Sequence, residues 1–146
     1  MNNLSDFYLL VKNFSESHHM INEFLLLGSM KDLDSREFNY RSLVMIPSSS
    51  NISRDSNRPV YTLTFDCVLL DRCSDGTSLS TVLSTEENLF VIGQLQDFLI
   101  QQDENCYFND VDVESYTAEN DNINGAIFEL TMTFARKSYK LGIDNA

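Results

Sequence analysis

Residues Val60–Asp71 constrain the fold more than any other stretch. Tyr61, Leu63, Phe65, Cys67 and Leu69 alternate with Thr62, Thr64 and Asp66. A period of two becomes one apolar and one polar face only in an extended strand. Such a strand needs strand neighbours and a covering layer on its apolar side. Two further segments read as strands later in the chain. In one, Tyr107, Val111 and Val113 alternate with Asp110, Asp112 and Glu114; in the other, Ala126, Phe128, Leu130, Met132 and Phe134 alternate with Ile127, Glu129, Thr131 and Thr133. A polar turn, Glu119-Asn120-Asp121-Asn122, separates them. A fourth, short strand at Leu43-Val44-Met45-Ile46 is closed by Pro47.

The covering layer is legible as two helices. Leu4, Phe7, Val11, Phe14, His18, Ile21, Leu25 and Gly28 recur at spacings of three and four. They predict an N-terminal helix within residues 1–30 that stops at Gly28-Ser29, with His18 as a partly buried side chain rather than a metal ligand. Ser84-Thr85-Glu86-Glu87 has the form of a capping box, which opens a second helix running to about Gln102. Leu89, Ile92, Leu95, Phe98 and Leu99 form its buried side. Ser74-Asp75-Gly76-Thr77-Ser78 is the turn before it. Residues 47–59 are polar and carry Arg54 and Arg58, so they predict an exposed hairpin loop. Residues 136–146 form a patternless tail that gathers Arg136, Lys137 and Lys140. The expectation is a single α+β domain over residues 1–146, in the order α-β-β-α-β-β. Two hairpins make a mostly antiparallel four-stranded sheet with both helices on one face. The other face, with Thr62, Thr64, Asp66, Asp110, Asp112 and Glu114, is expected to stay wet.

Charge narrows the function. The formal net charge is -12, and from Cys73 to Ala135 there are 12 acidic residues and no Lys or Arg. The other 10 acidic residues are balanced by the chain's 10 Lys and Arg. One half of the fold therefore carries the negative field. Such a surface repels nucleic acid phosphates and suits a basic partner, or the wall of a passage through which DNA slides without sticking. No apolar run reaches membrane-spanning length. The first residues lack the basic and apolar features of a secretory leader, so synthesis in a cytoplasm is expected.

Chemical sites are weakly signalled. Cys67, Cys73 and Cys106 match no zinc spacing, and the two histidines are the adjacent His18 and His19. The expectation is reduced structural thiols. Asp110, Asp112 and Glu114 would share a strand face and offer oxygen to a hard cation, but no histidine, lysine or glycine-rich loop completes a catalytic set. No catalysis, cofactor or metal is expected.

Three patches resemble small neck and tail proteins of tailed bacteriophages, of the tail-terminator and tail-completion kind, including those of crAss-like phages. They are Gly28-Ser29-Met30-Lys31-Asp32-Leu33-Asp34 with the strand around Leu43; Tyr61-Thr62-Leu63-Thr64-Phe65 through Asp71 with Leu83-Ser84-Thr85-Glu86-Glu87; and Asp121-Asn122-Ile123-Asn124-Gly125-Ala126-Ile127-Phe128-Glu129-Leu130. Ala126 stands where the family pattern often has an aromatic. The resemblance implies a virion protein assembled in a bacterial cytoplasm. Its copies would form a ring at the head–tail junction or tail end, against the portal or other neck and tail proteins, with genomic DNA passing through the centre unread. Rings use unlike patches. The candidates here are Arg54, Arg58, Arg136 and Lys137, with Arg36, Arg41 and Lys140 as further cations, against Asp110, Asp112 and Glu114 on the next copy. The alternative is a monomeric acidic adaptor, or an inhibitor that mimics nucleic acid and fills a basic groove on a host protein.

Overall fold

A computed structural model describes residues 4–29, 39–55, 58–73, 78–102, 106–118 and 121–135. Its elements in chain order are α1 (Leu4–Ser17), β1 (Glu23–Leu26), β2 (Ser42–Asp55), β3 (Arg58–Cys73), α2 (Ser78–Gln102), β4 (Cys106–Phe108), β5 (Asp112–Ala118) and β6 (Asp121–Ala135). The class is α+β, with two helices among the described residues and a six-stranded mixed sheet. The strands lie in the order β1-β2-β3-β6-β4, and β5 also pairs with β6. The four-stranded, wholly hairpin-built expectation is thus corrected to six strands, and the order to α-β-β-β-α-β-β-β.

The extra strands have local causes. The 3.6-residue periodicity from Leu4 runs past the point where α1 ends. Ser15 Oγ donates to the Val11 carbonyl at 2.9 Å, Ser17 Oγ donates to the Asn13 carbonyl, and the His18 N–H donates back to Ser15 at 3.3 Å. These hydroxyls compete for the carbonyls that would carry the helix on. Beyond them Phe24, Leu25 and Leu26 pair in parallel with Leu43, Val44 and Met45. The helix predicted to reach Gly28 therefore stops at Ser17. At the far edge, the segment expected as one strand is interrupted at Asn109. Its N–H donates to the Glu129 carbonyl at 3.3 Å, and its side-chain oxygen accepts from the Glu129 N–H. That bridge joins β4 and β5 into one broken edge strand.

Residues 47–55, expected as loop, continue β2 in register with β3 as far as Asp55↔Arg58. Residues 47–54 are exposed. A shift in register between Pro47 and Ser49 accommodates the proline. β1 ends opposite Met45, so among the described residues β2 beyond Ile46 pairs with β3 alone.

Facing residues of paired strands share a side of the sheet. Met45, Cys67 and Phe128 form one such row, and Leu43, Leu69 and Ala126 the next. Both rows belong to the main core, which α1 enters with Phe7 and Val11, and α2 with Val91, Ile92, Leu95 and Leu99. Phe7 stacks on Phe65 at 5.5 Å, and Phe14 meets Phe98 at the same distance between the helices. The opposite side was expected to be wet and is so only in part. Val44, Ile46, Val68, Leu70 and Ile123 form a second buried cluster there, flanked by Leu25, Leu27, Tyr40 and Ile127. The polar rows begin beyond it, where Asp66 faces Glu129 and the Thr64 and Thr131 hydroxyls meet at 3.0 Å. No helix among the described residues is long and apolar enough to cross a membrane.

Candidate functional site

The strand order turns the uneven charge of the chain into an uneven surface. α2, β4, β5 and β6 lie between Cys73 and Ala135, the stretch without Lys or Arg. β6 with β4 and β5 forms one side of the sheet, and β1 and β2 the other. Arg54 is exposed on β2 near the hairpin end, and Arg58 opens β3 across from Asp55. Asp112 and Glu114 lie on β5 opposite Ile127 and Gly125, so both project to the side away from the main core. Both are exposed. Asp110 is also exposed but precedes β5, so strand alternation does not align it with the other two. Among the described residues no group of three or more His, Cys, Asp or Glu is placed to hold a metal ion. Arg36, Arg136, Lys137 and Lys140, the turn at 74–77 and most of the Gly28–Asp34 patch lie outside the described residues.

The most organised polar cluster is one that sequence reading did not assemble. Arg41, immediately before β2, reaches across the sheet end to α2. Its Nε donates to Asn88 Oδ1 at 2.8 Å, and its Nη2 donates to Asp71 Oδ2 at 2.9 Å and to Glu87 Oε2 at 2.7 Å. Ser84 Oγ donates to the same Asp71 oxygen at 2.7 Å. Asn124, facing Asp71 across the β3–β6 ladder, donates to Ser84 Oγ at 3.2 Å and Thr85 Oγ1 at 2.9 Å, while Asn88 Nδ2 donates to the Asn124 carbonyl at 3.3 Å. Ser84 and Glu87 are therefore not a capping box. α2 starts six residues earlier, at Ser78, and both side chains bond instead to the sheet end, Ser84 from a buried position and Glu87 from an exposed one. Among the described residues no buried side-chain nitrogen or oxygen lacks a partner. These groups are spent on one another, and the arrangement fixes the first half of α2 to the sheet.

The thiols are held by burial, and His18 by hydrogen bonds. Cys67, Cys73 and Cys106 are all buried. Burial, and secondarily the neighbouring Asp66 carboxylate, pushes the Cys67 thiol far above the ordinary thiol range, which keeps it protonated and unreactive. His18 lies just past α1. Its Nδ1 accepts from the Met20 N–H at 3.1 Å, which leaves Nε2 to donate to Gln94 Oε1 at 2.5 Å and link α1 to α2. Leu89, expected inside, is exposed, as are Leu79, Val82, Leu83, Phe90 and Ile100 on the same helix. No protein-family model matches the chain, and no curated protein matches it in sequence.

Proposed function

We propose that the chain is a non-enzymatic virion protein of a tailed phage. Its copies form a ring at the head–tail junction or tail end, seated against the portal or other neck and tail proteins, and genomic DNA passes through the ring. The observation that carries this reading is the separation of charge across the sheet. β6, β4 and β5 on one side of the sheet hold no cation, nor does α2, which packs across β3 and β6, and the β2–β3 hairpin with Arg54 and Arg58 lies toward the other side. Two unlike patches on one chain are what a head-to-tail contact requires, and repeating such a contact closes a ring. A carboxylate-rich wall also lets a polyanion slide past without binding to it.

In the test, Arg54→Glu and Arg58→Glu are combined, and assembly is followed by light scattering at low and high salt. Each reversal replaces attraction by repulsion, worth roughly 1–2 kcal/mol per site at low salt. Assembly is therefore expected to weaken by about tenfold or more at low salt, and the remaining association no longer to fall as salt is raised. Undiminished, equally salt-sensitive assembly of the double variant contradicts the reading. The acidic adaptor alternative predicts instead a monomer at every salt concentration that binds a basic protein.

A further inference from the structure

We propose that the outer face of α2 is the seat on which the β2–β3 hairpin of a second copy of this chain docks. This rests on the ring reading and names the surface that a ring would use.

α2 is apolar on two opposite sides. Val91, Ile92, Leu95 and Leu99 are buried toward the sheet, as is Asn88 with the polar cluster. On the outward side Leu79, Val82, Leu83 and Phe90 recur at spacings of three, one and seven, and Leu89 and Ile100 widen the stripe along one flank. Leu79 is 68% exposed and Phe90 is 56% exposed. Scattered apolar residues on a surface carry no message, but six large ones along one side of a single helix, interspersed with carboxylates, mark a contact face. Glu86 and Asp97 are exposed on the same stripe, and no Lys or Arg occurs anywhere on this helix. Between Phe90 and Asp97 sits Gly93, where an added Cβ would meet nothing within 4 Å. Glycine is a poor helix former, and among the described residues no close neighbour requires it there. It leaves a shallow notch in the row of side chains, where another backbone can approach closely.

The occupant is argued from complementarity. A partner for this face needs apolar area with positive charge and an extended outline. The hairpin supplies these. Ile52 is 65% exposed, and Arg54, also exposed, follows two residues later on the same face of the strand. Along this stretch β2 has no second strand beside it among the described residues. Hairpin and helix face are different surfaces of one chain, so the contact is heterologous, as a ring demands. Burying Ile52 and Phe90 supplies the attraction, and Arg54 against Glu86 or Asp97 sets the register.

Two variants at positions that are more than half exposed test this. Ile52→Cys and Phe90→Cys are made singly, mixed, and treated with a short bifunctional maleimide; the native thiols are buried and contribute little background. The mixture is expected to give a covalent dimer that neither variant gives alone. In parallel, Gly93→Leu is expected to keep or raise the melting temperature, since its side chain enters open space, and to weaken self-association by about tenfold or more. Cross-linking of Phe90→Cys to itself overturns the proposal in favour of helix-on-helix pairing. A chain that still assembles without a mixed product and tolerates Gly93→Leu overturns the seat and leaves the ring reading standing. A chain that stays monomeric, with no cross-link in any combination, overturns both.

Discussion

Arg41→Ala is expected to remove about 3–5 kcal/mol of folding stability, a large part of the roughly 5–15 kcal/mol that holds a typical domain together. The guanidinium is 7% exposed and holds three partners at once. Without it Asp71, only 18% exposed, keeps a charge near the sheet with Ser84 as its remaining donor in the cluster, and Asn88 Oδ1 is left buried without the Arg41 donor. A stranded buried charge costs far more than the same group paired. Glu87 provides the internal control. Its side chain is 53% exposed, so water already screens its ion pair, and Glu87→Gln is expected to cost less than about 1 kcal/mol. Urea denaturation of the two variants checks the contrast. Equal losses, or a loss below about 1 kcal/mol for Arg41→Ala, would show that the cluster does not anchor α2.

Phe128→Ala is expected to cost a similar amount, about 3–5 kcal/mol, through lost transfer energy and the cavity left behind. Phe128 is 1% exposed, in the middle of β6, in the row with Cys67 and Met45. The informative comparison is Phe90→Ala, which removes the same side chain from the outer face of α2. Its folding stability is expected to change by no more than about 0.5 kcal/mol, whereas its self-association falls. Denaturation and light scattering on the same two samples separate a residue that holds the fold from one that meets a partner. A Phe90→Ala chain as destabilised as Phe128→Ala would mean that α2 packs more tightly within the chain than its exposure indicates.

The sheet's centre was legible because β3 and β6 alternate cleanly on the core side: Phe65, Cys67 and Leu69 against Ala126, Phe128 and Leu130. The second cluster left a signal too, in the unbroken apolar runs Cys67-Val68-Leu69-Leu70 and Leu43-Val44-Met45-Ile46. Such runs belong to strands covered on both faces, whereas alternation belongs to strands with one wet face. β1 was hidden because Ile21, Phe24 and Leu25 fit a helical stripe as well as a strand, and its pairing with β2 is a long-range fact that no local window contains. The polar cluster was illegible for a related reason. Arg41, Asp71, Ser84 and Asn124 come from four separate segments, and only the packed sheet brings them within hydrogen-bond reach. Ser84 and Glu87 had a plausible local role as a helix cap, and tertiary contacts gave them another. The outer stripe of α2 could have been read from the spacing of Leu79, Val82, Leu83 and Phe90, since a helix apolar on two sides needs two covers. By contrast, part of the charge asymmetry carried over: β4, β5 and β6, with no cation among them in sequence, are neighbours in the sheet.

The most direct check on the central claim is quantitative mass spectrometry of purified tailed particles from cells producing this chain. A ring subunit is expected in every preparation at one fixed, small number of copies per particle that survives repeated purification. Particles that are complete and infectious without the chain would contradict the account.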